Sequence, residues 1–521
     1  MSKNKTPATA RRLRLIIHHS SLITLVFVLL CVPLLQGCGA RHTPNLERIF
    51  EGARERRGKR PVIVIPGILG SRIVNRKTGE VVWPSAFRSK DEDLPLPTTP
   101  NLDADRDDLV ASRIVDTAKL ARLAPEVYVY HYLLRALVDF GGYREGDWDN
   151  PPEGGDHDTF YVFAYDWRRD NVESARLLVS RVEALKIKLG RPDLRFNIVA
   201  HSMGGLVARY AAMYGGQDLP PDPVAPVPDW SGASFISKIF MFGTPNEGSM
   251  EAFATLLEGY SVTEGTRPRI RLLNKLSRED IFTSPAIFQL LPHRAEARFL
   301  DDHLRPLAID LYDPAVWRRF EWSAANDPAF RDAYERGVVR RREARANKGT
   351  LAELDAYFEV VLRRARRFQE ALDAHESTAT NVSTSAPAGP TSAYDISLTA
   401  PVKLYAFGGD CEETLTAPVV VRDEKRGRWL TLVRPKSFRA SDGQRFTSAD
   451  VLRAMFEPGD GRVTRASLLG TDLAGPRASA FYATPLPVAY AAFACDLHSD
   501  LQNNKTLQDN ALTLLVSELM N

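Results

Sequence analysis

The residues around Ser202 have the types and spacing of a nucleophile held in a tight turn. Residues 196–205 read F-N-I-V-A-H-S-M-G-G, in which an apolar run predicts a buried strand and the following residues predict a helix. A serine at such a strand–turn–helix junction is a nucleophile elbow, which needs small flanking residues, here Ala200 and Gly204. Its oxygen would lie beside a helix N-terminus, which favours developing negative charge. Ser202 is therefore the predicted nucleophile.

A serine nucleophile also needs backbone N–H groups that bind the oxyanion of the tetrahedral intermediate. One is expected from Met203, directly after the serine, and the other from a loop that leaves an early strand. Residues 64–71 read V-I-P-G-I-L-G-S, and their glycines let the backbone approach a substrate closely. We therefore nominate the amides of Ile68 and Met203, with a purely structural turn as the alternative for residues 64–71.

The general base is found by elimination among the histidines. In hydrolases with a nucleophile elbow the chain order is serine, acid, histidine, so the base follows the serine. The histidines that do so are His293, His303, His375 and His498. The first two lie in a helical region and the third adjoins a polar linker, so His498, which follows the core strands, is the predicted base. His201 sits in the elbow at a position that directs it away from the serine and is predicted to pack.

Two aspartates compete for the role of the acid that orients the base. Asp410 follows the apolar run 402–407 directly, at the end of a predicted strand. Asp460 lies in E-P-G-D-G-R-V, residues 457–463, where the flanking glycines would expose a carboxylate. Either would orient the imidazole and stabilise its protonated form. Spacing alone does not separate them.

The elements that must position these residues are indicated by short apolar runs that alternate with helical patterns. Such runs, rich in β-branched and aromatic residues, are typical of strands that are buried on both faces. They occupy residues 60–65, 161–165, 196–200, 236–242 and 402–407. Strands that alternate with helices predict an α/β fold with a mostly parallel sheet.

The organisation of the chain follows from changes in composition along it. Residues 59–249 and 400–521 hold the strand runs and are predicted as the two parts of one core. Between them, residues 250–399 carry Arg-rich helical patterns and end in a small, polar linker, which predicts a helical cap or lid insertion. Residues 1–37 and 38–58 read as an export signal and a polar tether.

Several motifs, separate in sequence and occurring in order, resemble one family. They are P-V-I-V-I-P-G-I-L-G-S at 61–71, W-P at 83–84, F-A-Y-D-W-R at 163–168, A-H-S-M-G-G at 200–205, G-T-P-N-E-G-S at 243–249, G-D-G-R-V at 459–463, and His498. This set resembles the lecithin–cholesterol acyltransferase family of α/β-hydrolases, which includes lysosomal phospholipase A2. The resemblance covers most of residues 60–515.

The resemblance implies an α/β-hydrolase fold and places the acid in the G-D-G loop, at Asp460, with Asp410 second. It also implies that Ile68 and Met203 supply the oxyanion amides and that residues 163–168 are structural. Two departures stand out. The lid and membrane-binding sequences of the eukaryotic members do not align here, and Arg462 stands where the family usually has Thr.

The N-terminus has the features of a bacterial lipoprotein signal. Lys3, Lys5, Arg11, Arg12 and Arg14 precede the apolar run 22–35, which is shorter than a bilayer span. The run ends in L-Q-G-C, which resembles a lipobox and predicts lipidation of Cys38. The alternative is an uncleaved anchor over residues 15–35. Both predict an exported protein tethered to a membrane of the cell envelope.

The charge and the cysteine content further limit which partners and which cross-links are expected. The chain has 521 residues with 68 Lys and Arg against 65 Asp and Glu, and five of the basic residues lie in residues 1–37. The near balance that remains gives no electrostatic reason to expect nucleic acid as a partner. After removal of the signal and lipidation of Cys38, an oxidising compartment favours a disulfide between Cys411 and Cys495, with two buried thiols as the alternative.

Together these features predict a membrane-tethered serine enzyme that acts on a lipid ester. It would be an acyl hydrolase or an O-acyltransferase, and it would need no metal and no cofactor. The alternative is a catalytically silent envelope lipoprotein that binds lipid or a protein partner, because a fold alone never proves turnover.

Overall fold

The structure of the chain is a computed structural model that describes most of the sequence after residue 42. The described ranges are 43–84, 94–119, 126–260, 276–293, 297–336, 350–374, 401–470 and 486–520. The predicted signal at residues 1–37, the predicted lipidation site Cys38, and the candidate His375 with most of the polar linker lie outside these ranges. None of the helices within them is long and apolar enough to cross a bilayer.

Strands occur along the whole described chain. In chain order they are β1 (Val62–Ile65), β2 (Ser71–Asn75), β3 (Val81–Trp83), β4 (Leu109–Ile114), β5 (Thr117–Lys119), β6 (Glu126–Tyr128), β7 (Arg144–Gly146), β8 (Thr159–Val162), β9 (Phe196–His201), β10 (Ile236–Phe242), β11 (Lys403–Gly409), β12 (Glu412–Leu415), β13 (Val419–Asp423), β14 (Arg428–Leu432), β15 (Phe438–Arg439), β16 (Arg445–Phe446), β17 (Phe456–Gly459) and β18 (Val488–Ala494).

Helices separate most of these strands. In chain order they are α1 (Leu46–Ile49), α2 (Glu51–Glu55), α3 (His131–Asp139), α4 (Asn171–Leu189), α5 (Met203–Tyr214), α6 (Met250–Glu258), α7 (Arg278–Phe282), α8 (Pro285–Phe288), α9 (Pro314–Arg319), α10 (Pro328–Glu335), α11 (Leu351–Asp373), α12 (Ser448–Met455), α13 (Arg465–Leu469) and α14 (Lys505–Val516).

Seven strands form one central sheet in the order β18-β11-β10-β9-β1-β8-β7. Every neighbouring pair in it is parallel. The five strand runs predicted from the sequence correspond to β1, β8, β9, β10 and β11, with ends that differ by up to three residues. The two outermost strands, β7 and β18, are not among those runs. The parallel α/β architecture predicted from the sequence is confirmed.

The apolar run of β1 is buried on both faces because helices cover the sheet on each side. Ile63 and Ile65 belong to the apolar cluster that includes helices α4 and α5. Val62 and Val64 belong to a second cluster that includes helices α3 and α14. All four side chains are fully buried, which explains why the strand reads as continuous rather than alternating.

The segment between β10 and β11 carries helices α6 to α11 and, in its described part, no strand. Its longest helix, α11, packs against the helix that follows Ser202. The Tyr214 hydroxyl donates to the carbonyl of Ala371 at 2.9 Å, and Arg209 Nη2 donates to the carbonyl of Leu372 at 2.9 Å. The boundaries 250–399 assigned to a cap remain a prediction.

Candidate active site

Ser202 occupies a sharp turn between β9 and α5. Its φ of 53° lies in the left-handed range, which a residue other than glycine adopts only when its surroundings impose it. The following glycines let the turn pack closely: a Cβ on Gly204 would lie 2.5 Å from the carbonyl oxygen of Pro66, and one on Gly205 would lie 2.0 Å from Thr244 Oγ1. The turn thus holds Ser202 beside the loop that leaves β1.

The loop at residues 66–71 is fixed by hydrogen bonds from aromatic side chains. The Tyr165 hydroxyl donates to the carbonyl of Pro66 (3.0 Å), Trp83 Nε1 to that of Leu69 (2.8 Å), and Trp167 Nε1 to that of Ser71 (3.2 Å). The family-like segment 163–168 therefore supports this loop. Ile68 lies inside the supported turn, and Met203 is the first residue of α5, where a helix leaves its N–H groups without intrahelical acceptors.

His498 joins Ser202 to Asp460 through its two ring nitrogens. Its Nε2 lies 2.9 Å from Ser202 Oγ, and its Nδ1 lies 2.9 Å from Asp460 Oδ2. The three residues are at most 6% exposed. The structure thus brings together the predicted nucleophile, base and acid, which are separated by up to 296 residues in the chain.

Asp460 reaches His498 from outside the central sheet. Strand β17 pairs with β12, and this small sheet places the G-D-G turn beside the loop that follows β18. The Asp460 Oδ1 atom accepts from the backbone N–H groups of Arg462 (2.9 Å) and Val463 (2.7 Å), so both carboxylate oxygens are engaged. Asp410, the alternative acid, lies half-buried just after β11, and among the described residues the carboxylate that hydrogen-bonds His498 is that of Asp460.

A disulfide joins Cys411 and Cys495, with their Cα atoms 5.2 Å apart. Cys411 lies between β11 and β12, and Cys495 follows β18 directly, three residues before His498. The bond therefore ties the start of the loop that carries His498 to the neighbouring strand of the sheet.

A cavity of about 210 Å³ lies against Ser202 and His498. Apolar side chains make up most of its wall, and they come mainly from the loop after β1, from the end of β3, from the segment between β10 and β11, and from the loop that carries Asp460. They include Ile68, Trp83, Ile281, Leu290 and Val463. A wall of this kind suits the hydrocarbon chain of an acyl group.

An acidic residue, Glu251, and a basic residue, Arg462, also line this cavity. The Glu251 carboxylate pairs with Arg434, whose Nη2 lies 3.0 Å from Glu251 Oε2. The Arg462 guanidinium lies over the ring of Tyr260, 5.1 Å from its centroid. The residue that departs from the family pattern in sequence is therefore part of the wall of this cavity.

Two groups of acidic residues and histidine lie close together in the described part of the chain. They are Glu247 with His293 and Asp373, and Asp301 with Asp302 and His303. In the first group His293 Nε2 lies 3.1 Å from Asp373 Oδ1 and 3.3 Å from Glu247 Oε2, so the ring bridges both carboxylates directly. We interpret it as a link between the loop after β10 and helix α11.

The second group is extended by Asp442, in the turn between β15 and β16. His303 Nδ1 lies 2.8 Å from Asp302 Oδ1, and its Nε2 lies 3.2 Å from Asp442 Oδ2. The hydrogen bonds of the imidazole to Asp442 and Asp302 raise the pKa of His303 above its ordinary value. This histidine therefore links two surface segments.

The geometry can be set beside known proteins. Residues 95–327 match the lecithin:cholesterol acyltransferase family. The resemblance to this family is confirmed. No curated protein sequence matches the chain. The match supports an enzyme that acts on lipid esters, as a hydrolase or an acyltransferase.

Solved structures resemble the chain at low sequence identity. The Tle4–Tli4 complex is 15% identical with a TM-score of 0.50, and the alignment covers 89% of this chain and 99% of that one. Lipase 1 from Pelosinus fermentans is 10% identical, with coverages of 89% and 100% and a TM-score of 0.31. EstA from Clostridium botulinum is 12% identical, with coverages of 89% and 89% and a TM-score of 0.28. The sheet order and the likeness to the first structure show the predicted α/β-hydrolase fold.

Proposed function

We propose that this protein is a serine-dependent lipid acyl hydrolase or O-acyltransferase that cleaves ester bonds through an acyl-enzyme. The observation that carries the proposal is the hydrogen-bonded chain from Ser202 Oγ through both ring nitrogens of His498 to Asp460, next to an apolar cavity. Nucleophile and base lie within hydrogen-bond reach, and the base is oriented by a third group, which is the arrangement that such catalysis requires.

In the proposed first step, His498 Nε2 accepts the Ser202 proton while Oγ attacks the ester carbonyl. The carbonyl oxygen becomes an oxyanion, held by the backbone N–H groups of Ile68 and Met203. The protonated imidazole, stabilised by Asp460, then donates its proton to the departing alkoxide. This leaves the acyl group on Ser202 and releases an alcohol.

In the second step the acyl-enzyme is resolved by attack on the same carbonyl. His498 accepts a proton from water or from a lipid alcohol, the resulting oxygen nucleophile attacks the acyl carbonyl, and the imidazole returns the proton to Ser202 Oγ as the acyl bond to serine breaks. Water gives a free fatty acid, and a lipid alcohol gives a new ester. The reaction thus needs only groups of this chain and its two substrates.

We further propose that the enzyme is exported and held at a membrane of the cell envelope by lipidated Cys38. This placement rests on the basic and apolar N-terminal segment and the L-Q-G-C motif. Mass spectrometry of the protein purified from a bacterial membrane fraction tests it. We expect a diacylated N-terminal Cys38, and a mature protein that begins elsewhere would contradict the proposal.

The catalytic role is tested by labelling the purified full-length protein with a fluorophosphonate. We expect the modified peptide to contain Ser202, and we expect Ser202→Ala to abolish both labelling and ester hydrolysis. Ser174→Ala is the matched control because it removes another buried hydroxyl, one that donates within helix α4 to the Asp170 carbonyl. Folded wild-type protein that neither labels nor turns over an ester would instead support the alternative, a catalytically silent protein that binds lipid or a protein partner.

Hydrolysis and transfer are separated by the products formed from phospholipid vesicles. The full-length enzyme is incubated with vesicles alone, and with vesicles that contain a fatty alcohol or a sterol. A new ester that forms only in the presence of the alcohol indicates transfer. Free fatty acid and the deacylated phospholipid in both mixtures, with no new ester, indicate hydrolysis.

A further inference from the structure

A second chain of hydrogen bonds runs behind Ser202, and no step of the proposed reaction uses it. The backbone N–H of Gly67 donates to the Tyr130 hydroxyl at 2.8 Å. That hydroxyl lies 2.8 Å from His201 Nδ1, and His201 Nε2 lies 2.9 Å from the backbone carbonyl of His498. Tyr130 and His201 are both buried, and both also line the cavity against Ser202.

The protons in this chain can be assigned because its two ends are fixed. The carbonyl of His498 only accepts, so His201 carries its proton on Nε2. His201 Nδ1 is then an acceptor, and the Tyr130 hydroxyl must donate to it. The Gly67 N–H only donates, and the remaining lone pairs of the same hydroxyl receive it. Every group is satisfied in this single arrangement.

The electrostatics of the two side chains favour the same arrangement. Burial, followed by the charge of the nearby His498, lowers the pKa of His201 far below its ordinary value, which keeps the ring neutral. Burial raises the pKa of Tyr130 well above its usual range, which keeps the hydroxyl protonated. A neutral His201 matters because its ring centroid lies 4.9 Å from that of His498, the ring that becomes positively charged during the reaction.

The two ends of the chain lie at the two places where geometry matters most to acyl transfer. Gly67 directly precedes Ile68, and it packs so closely on the elbow that a Cβ there would lie 2.7 Å from Ser202 Cβ. The other end holds the backbone of His498, whose N–H donates to the Asp460 carbonyl at 2.8 Å. The main chain of the base is thus held on both sides, once by the acid and once by His201.

We propose that Tyr130 and His201 are positioning residues that fix the oxyanion turn and the loop of the base relative to each other. This inference rests on the proposed function of Ser202 and His498. Neither residue touches the reacting atoms through the bonds described. They act by holding the Gly67–Ile68 backbone and the His498 backbone at one separation, so that the oxyanion donors and the imidazole engage the same substrate carbonyl.

The test compares Tyr130→Phe with Tyr161→Phe in the full-length protein. Both tyrosines are buried and both variants lose one hydroxyl, but Tyr161 donates at 2.9 Å to the carbonyl of Gly155, outside the site. We expect Tyr130→Phe to lower kcat on a chromogenic ester by up to about 100-fold, because a small misplacement of catalytic groups has an effect of this size. The KM should stay unchanged, since the ring that faces the cavity remains. The control should keep wild-type kcat.

A second variant shows whether Tyr130 acts through His201. In His201→Gln the side-chain NH₂ can take the place of Nε2 and reach the His498 carbonyl, but no atom takes the place of Nδ1, which lies 2.8 Å from the Tyr130 hydroxyl. If the two residues form one unit, each single variant and the double variant should show similar losses of kcat and of the fluorophosphonate labelling rate. Should Tyr130→Phe fail to fold, His201→Gln alone carries the same expectation of reduced kcat at unchanged KM.

The outcomes separate this inference from the proposed function. If wild-type protein labels at Ser202 and folded Tyr130→Phe labels at the same rate, the positioning role is wrong while the enzyme assignment stands. If the losses of kcat multiply in the double variant, Tyr130 and His201 act independently, and the proposal that they form one hydrogen-bonded unit is wrong. If wild-type protein neither labels nor turns over ester, the proposed function itself has failed.

Discussion

Replacement of Asp460 by Asn should disable the base through the position of one proton. Asp460 Oδ1 accepts from two backbone N–H groups, those of Arg462 and Val463. In Asp460→Asn the carboxamide oxygen must take this place, because an NH₂ group cannot accept. The NH₂ group then faces His498 Nδ1 and donates to it. The imidazole proton is thereby moved to Nε2, which faces Ser202 Oγ and can no longer accept the serine proton.

The magnitude follows from the loss of the correct tautomer. In a triad of this type the same change lowers kcat by about 10⁴-fold, which corresponds to about 5 kcal/mol of transition-state stabilisation. The variant should stay folded, because the carboxamide keeps the shape of Asp460 and both backbone hydrogen bonds. The assay is the steady-state hydrolysis of a chromogenic ester, with the urea unfolding midpoint measured on the same preparation.

Asp410→Asn is the matched control, since Asp410 is the other aspartate that the sequence favours. We expect its kcat to stay within about twofold of wild type, as for a substitution away from the site. A folded Asp460→Asn protein that loses less than tenfold in kcat would refute the tautomer argument. A larger loss of kcat in Asp410→Asn than in Asp460→Asn would show that Asp410, rather than Asp460, is the acid that orients His498.

Three further predictions concern packing, cross-linking and pH. Gly205→Ala should lower the free energy of unfolding by about 1–3 kcal/mol, and with it the urea midpoint, because its Cβ would lie 2.0 Å from Thr244 Oγ1. Gly52→Ala, which has nothing within 4 Å, should not lower it, and equal midpoints for the two variants would contradict the packing. Reduction of the disulfide, which closes a loop with a sequence separation of 84, should cost up to about 4.5 kcal/mol of stability by loop entropy, and urea curves that coincide with and without reductant would refute this. The raised pKa of His303 makes its contribution to stability complete below the unfolded pKa of about 6.5, and that contribution is lost as pH rises through the folded pKa. A proton NMR titration should place the His303 midpoint above that of an unfolded peptide, and a midpoint below it would contradict the assignment.

The sequence predicts the elbow and the central strands well because both have local signals. A strand buried on both faces reads as a largely apolar run: β1 is entirely apolar, while polar residues interrupt β9 at Asn197 and β10 at Ser237 and Lys238. The junction at Ser202 needs small residues within three positions on either side, which a short window of sequence shows. Both features depend on residues that are close together in the chain, so they can be recognised without the three-dimensional structure.

The acid could not be chosen from spacing, because the decisive interaction is distant in sequence. Both Asp410 and Asp460 follow a strand, and either would suit the chain order. Pairing of β12 with β17 brings Glu412 opposite Gly459 and so places Asp460 beside His498. At the level of sequence, Asp460 is favoured only by the family resemblance, which places the acid in the G-D-G loop.

Tyr130 and the short cap helices had weaker signals. Tyr130 has no motif around it, and its contacts reach 63 and 71 residues along the chain, to Gly67 and His201. The segment after β10 reads as helical, but its helices α7 to α10 have only four to eight residues. A proline at the first position of α8, α9 and α10 marks each start, a signal that helical periodicity alone does not use.

Direct pairing of β10 with β11 bears on how enzymes of this design diversify. The two strands are in register from Lys238 opposite Lys403 to Phe242 opposite Phe407, although a long segment separates them in the chain. Because loop closure costs only about 0.6 kcal/mol for each doubling of length, this segment can be exchanged without disturbing the ladder. The sheet can thus stay the same while the segment inserted between β10 and β11 is replaced by another. A graft that keeps the hydrogen bonds of Arg209 and Tyr214 to helix α11 would change the walls of the cavity and leave the serine in place.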